Sequence, residues 1–208
     1  MYGIEHVKPG ETILKVDGIS RGKAFQDVSF EVKKGEIFGM FGLVGSGRTE
    51  IVRSIFGADV KDEGTVTFMG KKADFTKPSQ GIEAGIALLP ENRREQGLAL
   101  GLSIADNTNT VAIRKISRMG VVNNKKGVEI AQAYCDKLRT KTPSVFQLVK
   151  NLSGGNQQKV VISKWLAEGS ELFIFDEPTV GVDVGAKLEI YKVFETLIKE
   201  GKTIIIVS

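Results

Sequence analysis

A Ser-Gly-Gly turn within LSGGNQQK, Leu152 to Lys159, precedes a helical pattern and then the apolar run ELFIFDEP, which ends in the acidic pair Asp176-Glu177. Ser153 stands where a helix N-cap is expected, just before Val160, Val161, Ile162, Trp165 and Leu166, which a helix can turn toward a core. A helix beginning there presents free backbone N–H groups and its positive dipole end, and Gly154 and Gly155 let an anion approach the backbone closely. A bare Ser-Gly-Gly reads as an ordinary helix start. Followed by NQQK and an acidic strand end, it reads as a phosphate-binding surface.

A second constellation lies upstream, where GEIFGMFG runs into GLVGSGRT, Gly42 to Thr49, and then into the helical pattern TEIVRSIFG. Strand, glycine-rich loop and helix match the phosphate-loop template G-x-x-x-x-G-K-[ST] at Gly42, Gly47 and Thr49, with Leu43, Val44, Gly45 and Ser46 between. Arg48 occupies the Lys position. The charge is retained, and it dominates binding: two unit charges about 4 Å apart near a surface interact by roughly 4 kcal/mol. The geometry is not retained, because a planar guanidinium prefers a bidentate fork while phosphoryl transfer depends on positioning. A displacement of about 1 Å costs on the order of a hundredfold in rate. The loop is therefore expected to hold nucleotide and to hydrolyse it poorly.

LFIFDEPT reads as a buried parallel strand that delivers Asp176 and Glu177 at its carboxyl end, where open α/β sheets bind ligands. A random Asp-Glu is usually a solvated turn. After a buried strand and before Pro-Thr, the pair reads as Asp176 orienting Mg²⁺ together with Thr49, and Glu177 as the catalytic base that polarises water.

Taken together, LSGGNQQK, GLVGSGRT and LFIFDEPT make the chain resemble the ATP-binding-cassette (ABC) family over nearly its whole length. The resemblance implies an α/β fold of the P-loop NTPase type: a mostly parallel sheet flanked by helices, an N-terminal antiparallel β part and an inserted α-helical subdomain. It also implies ATP and Mg²⁺ as cofactors. By the same resemblance Gly181 to Lys187 (GVDVGAK) falls where the family has its D-loop, so that Asp183 would face a partner subunit, and the family's loop glutamine falls at Glu91. Glu91 accepts hydrogen bonds where an amide could also donate, which alters γ-phosphate sensing. The switch histidine would follow Ser208, and His6 does not replace it. Phe25 is a candidate to stack on adenine and equally a core-facing strand residue. Val180 stands where the family commonly has Arg, with no mechanism attached.

Arg48, Glu91, an intact signature and DEPT-x-GVDVGAK narrow the resemblance to the second, C-terminal cassette of bacterial monosaccharide importers of the ribose, galactose and xylose type. Such importers imply a head-to-tail pair of cassettes with ATP between the P-loop of one and the signature helix of the other. Ser153, Gly154 and Gly155 would then complete the competent site on the partner's P-loop, while Gly42–Thr49, Asp176 and Glu177 form a degenerate one. The implied partners are a second cassette in the same polypeptide, transmembrane permease subunits and, indirectly, a sugar-binding protein, with the chain peripheral at the cytoplasmic face of the cell membrane.

Composition agrees. The 208 residues suffice for one domain with a sizeable core. The net charge of +4 comes from scattered doublets such as Lys33-Lys34, Arg93-Arg94 and Lys125-Lys126, which read as solvated faces and not as a nucleic-acid footprint. The single cysteine, Cys135, excludes an internal disulfide. In VEIAQAYCDKLR the stripe is expected at Ile130, Tyr134 and Leu138, bordered by Ala131 and Cys135, with Cys135 and Trp165 both packing in the core. No apolar run approaches the roughly 20 residues of a membrane span, and the opening is not a signal peptide.

The expected layout is one nucleotide-binding domain over 1–208, with core segments 12–100 and 151–208 and a helical subdomain at 101–150, where the strand signal vanishes. MYGIEHVKPGET reads as a connector from an upstream domain. Three functions fit these residues: a cassette hydrolysing ATP at its own loop, a degenerate half donating its signature to a partner, or a non-transport ATPase acting on ribosomes or DNA. The second is the preferred expectation, and a nucleoside importer of related build fits the same motifs.

Overall fold

A computed structural model describes residues 10–180 and 184–208. His6, most of the opening connector, and Gly181, Val182 and Asp183 of the D-loop stretch lie outside the described residues. The chain divides into two compact units, 1–88 with 171–178 and 194–208, and 89–170 with 179–193.

The first unit opens with β1 (Thr12–Arg21) and β2 (Phe25–Lys33), an antiparallel pair in which Leu14 and Val16 of β1 lie opposite Val32 and Phe30 of β2. Alternation along TILKV turns Leu14 and Val16 inward. Phe25 begins β2 and is buried, so the core-facing reading holds. β3 (Ile37–Met40) leads into the glycine loop, ending before Phe41, and α1 (Arg48–Phe56) follows. β4 (Glu63–Phe68) and β5 (Lys71–Lys72) extend the antiparallel sheet to the order β2-β1-β4-β5. α2 (Pro78–Ala84) starts on a proline and approaches α1 so closely that a Cβ on Gly81 would meet the Phe56 carbonyl.

β6 (Ile86–Leu89), β9 (Leu172–Asp176) and β10 (Thr203–Val207) join β3 in a second sheet of order β3-β10-β9-β6. β10 pairs in parallel with both β3 and β9, with Ile205 opposite Phe38 and Ile174. All five residues of β9 are buried, as a continuous apolar run requires of a central parallel strand. The Phe175 ring meets Phe194 edge to face at 4.6 Å, fixing the C-terminal part of α6 (Val184–Lys199) to this strand.

The second unit contains α3 (Ile104–Asn109), the short hairpin β7 (Ser117–Arg118) and β8 (Val121–Val122), α4 (Asn124–Lys137) and α5 (Gly154–Glu168). Its core joins Ile104, Ala105, Ala131, Cys135, Val145, Val149, Leu152 and Val160. Two expectations are corrected here. A two-stranded hairpin interrupts the segment expected to lack strands, because Met119 and Gly120 both adopt positive φ and turn the chain tightly. The inward stripe of α4 runs through Gly127, Ala131 and Cys135, not Ile130 and Tyr134. Small side chains win that face because Gly127 abuts Asn109 and Ile116, while the Tyr134 hydroxyl reaches out to the Leu166 carbonyl at 2.9 Å.

Phe175→Ala is expected to destabilise the protein by about 3–5 kcal/mol, the cost of truncating a buried aromatic, visible as a lowered denaturation midpoint at unchanged slope.

Candidate functional site

The expected site residues fall into two groups, one in each unit. Gly42, Leu43, Val44, Gly45, Ser46, Gly47, Arg48, Thr49, Asp176 and Glu177 belong to the first, and Glu91, Ser153, Gly154 and Gly155 to the second.

In the first unit the loop between β3 and α1 turns through Gly45 and Gly47, at φ 81° and 84°. Any Cβ on Gly47 would strike the Ala24 carbonyl, so glycine is required there by space as well as by φ. No side chain caps α1, which leaves its first amides and its positive dipole end available to an anion. Leu43 and Val44 at the crown of the loop are exposed. Thr49 Oγ1 donates to Asp176 Oδ1 at 3.1 Å, setting two hard oxygen donors side by side at the carboxyl end of β9. This donor pair suits Mg²⁺, and the uncapped helix end suits a polyphosphate. The residues present thus fit both expected cofactors.

Arg48 departs from that fit. Its guanidinium donates to the Leu43 carbonyl at 3.2 Å through Nη2 and to the Ser208 carbonyl through Nη1. The cation that should meet phosphate is turned onto the backbone of its own loop and of the β10 end. Glu177 is held in the left-handed region at φ 46°, its N–H bonded to the Val207 carbonyl at 3.0 Å and its Oε2 accepting from Ser208 Oγ at 3.4 Å. A non-glycine residue in that conformation costs about 1 kcal/mol or more, the kind of local strain that collects at functional sites.

In the second unit Ser153 is the N-cap of α5, and its Oγ accepts from the Asn156 backbone N–H at 3.5 Å and from Asn156 Nδ2 at 3.0 Å. The amides of Gly154 and Gly155 stay free of that cap. Buried polar side chains hold the rest of the helix: Gln157 Nε2 donates to the Val149 carbonyl at 3.2 Å, and Lys159 pairs with Glu189 at 2.8 Å. Glu91 is exposed and opens the segment that continues into a π-helical turn, Arg93–Gly97. Arg93 lies against the start of α5, where a Cβ on Gly154 would meet its Nη2 at 2.7 Å, a proximity that the sequence alone does not announce. The available signal was the Arg-Arg doublet two positions after Glu91.

Lys164, also on α5, donates from Nζ to the Gly97 carbonyl at 2.7 Å, and burial pulls its pKa down to about 8. Among the described residues there is no cluster of three or more His, Cys, Asp or Glu side chains able to hold a metal, and no helix long and apolar enough to cross a membrane.

Comparison with known proteins agrees with this geometry. The model of the ABC transporter family matches residues 25–180. Two relatives, from Agrobacterium fabrum and Geobacillus kaustophilus, are named "Putative ribose/galactose/methyl galactoside import ATP-binding protein", the first with the suffix 1. The former is 46% identical over 97% of this chain and 40% of its own length, the latter 47% identical over 96% and 40%. The chain therefore spans about two fifths of the length of these curated relatives. Among solved structures, the ADP conformation of MJ1267, an ATP-binding cassette of an ABC transporter, is 21% identical over 95% of this chain and 81% of that one, with TM-score 0.77. The dimeric post-hydrolysis state of MJ0796 bound to ADP and Pi is 22% identical over 94% and 87%, also at TM-score 0.77. Fold and nucleotide loop together define an ATP-binding cassette. The chain belongs to the ABC transporter family.

The lowered pKa of Lys164 has a stability consequence. Between about pH 8 and its unfolded value of 10.5 the unfolded chain keeps a proton that the folded chain has released, so stability rises with pH across that window. The gain is bounded by about 3 kcal/mol, and Lys164→Met is expected to abolish it in denaturant melts at pH 7.5 and 10.

Proposed function

We propose that this chain is a nucleotide-binding domain that energises monosaccharide import, working beside a second cassette and permease subunits at the cytoplasmic face of the membrane. A sugar-binding protein would deliver the substrate, and the loop from Glu91 to Leu100 would meet the permease. The importer names carried by relatives above 40% identity support the substrate class. In this reading one domain spans the chain, with residues 101–150 as its helical subdomain.

Within the pair, the chain's own loop is the weak site and its signature helix serves the partner. The observation that supports this division is the engagement of the Arg48 guanidinium with the Leu43 carbonyl of its own loop. Phosphate has to compete with that bond, and a guanidinium displaced from the lysine position cannot direct the terminal phosphoryl group as an ammonium does. Gly42–Gly47 bind phosphate through the backbone, Thr49 and Asp176 supply metal-binding oxygens, and Glu177 orients water. When bound, Mg²⁺ neutralises charge on the transferred phosphate. Ser153, Gly154 and Gly155 grip the triphosphate held by the other cassette.

In the full-length protein with its permease, replacing Ser153 by Trp is expected to abolish transport-linked hydrolysis. Arg48→Ala should weaken nucleotide binding about tenfold and leave most turnover intact. If Arg48→Ala removed all turnover while the Ser153 change did little, the two roles would be reversed. Co-purification with ribosomes or duplex DNA at physiological salt would overturn the importer reading.

A further inference from the structure

The segment after Glu91 is seated on one face of α5 at three points. Lys164 Nζ binds the Gly97 carbonyl at 2.7 Å, a Cβ on Gly97 would lie 3.3 Å from Val161 Cγ2, and a Cβ on Gly154 would lie 2.7 Å from Arg93 Nη2. Gly154, Val161 and Lys164 are spaced by seven and three residues, so they share one helical face. This seating places the Arg93 guanidinium directly over the first residue of the helix.

Among the described residues that guanidinium has no counter-ion, and its Nε is buried without a hydrogen-bond partner. Burial, with the neighbouring Arg94 charge, lowers its proton affinity. Glu91 and Glu95 flank Arg93 two residues away on either side without pairing with it, and Glu91 lines a cavity of about 270 Å³ with Asn92, Arg93, Arg94 and Val180. A partly desolvated, unpaired cation is costly unless an anion completes it. The Gly154 and Gly155 amides, the first two of α5, have no intrahelical acceptor, and the Ser153 hydroxyl is taken by Asn156.

We infer that Arg93 is a phosphate-binding residue of the signature half-site, its guanidinium joining the Gly154 and Gly155 amides on the terminal phosphoryl group of a nucleoside triphosphate presented by the partner cassette. The inference rests on the proposed role of the signature helix and adds a charged donor to it. It also gives the phosphate a direct hold on the segment that begins at Glu91, because the residue that touches the anion lies in that segment.

The test is nucleotide affinity in the full-length protein, measured with a non-hydrolysable ATP analogue and with ADP. A charge-assisted bond to the terminal phosphate predicts that Arg93→Gln weakens the analogue about tenfold or more and leaves ADP within about twofold, with Arg93→Lys recovering part of the loss. Melting temperature should hold or rise, since an unpaired charge is removed. Equal weakening of both nucleotides together with a fall in melting temperature marks a packing role and overturns the inference. Unchanged affinities with lost permease association mark a carboxylate partner and overturn it equally. Replacing Ser153 by Trp separates the two levels. If that change weakens the analogue and Arg93→Gln does not, only this inference fails; if neither does, the role given to the signature helix fails too.

Discussion

The hydrogen bond from Thr49 to Asp176 is the contact on which the proposed nucleotide site rests. It joins the start of α1, reached through a glycine turn that admits no Cβ, to the end of a strand whose five residues are all buried. The two elements are 127 residues apart in sequence, so the pairing exists only because β9 lies in the interior of the parallel sheet. The four apolar residues of β9 before Asp176 pin the carboxylate in depth, and the glycines pin the hydroxyl beside it. Oxygens held in this way are preorganised for a hard cation and cost little to arrange when nucleotide arrives.

Against that ordered pair, the arginine next to Thr49 sets the character of the site. A lysine ammonium is a compact charge that can follow a phosphate. A guanidinium is planar and finds carbonyl oxygens on its own loop and on the neighbouring strand. The metal-binding half of the site keeps its form while the phosphate-directing half is diverted. On the proposed reading such a site would bind nucleotide and contribute little hydrolysis, and the catalytic weight of a cassette pair would fall on the other composite site. The second unit places a serine-capped helix tip with two glycines beneath the Arg93 guanidinium, the arrangement the proposed composite site would use.

Much of this was legible in the chain itself. The apolar run LFIF before Asp176 reads as a strand buried on both faces, and Ser-Gly-Gly followed by NQQK reads as the start of a helix. The helix starts at Arg48 and Gly154 followed from the glycine motifs, and the antiparallel start of the chain from the family resemblance. Features fixed by tertiary neighbours were not legible. The inward face of α4 was decided by the close approach of Asn109 to Gly127, which no local pattern encodes. The hairpin at Ser117–Val122 is too short to alternate. Arg93 looked like any surface doublet, because its isolation comes from packing over Gly154 and not from its sequence neighbours.

The most direct test of the cofactor cradle is calorimetric titration of the protein with ATP in the presence of Mg²⁺ and again with EDTA. Binding should be markedly tighter with the metal, and Asp176→Asn should bring the Mg²⁺ titration down to the EDTA one while leaving the EDTA titration nearly unchanged. ATP affinity indifferent both to Mg²⁺ and to Asp176 would contradict the account.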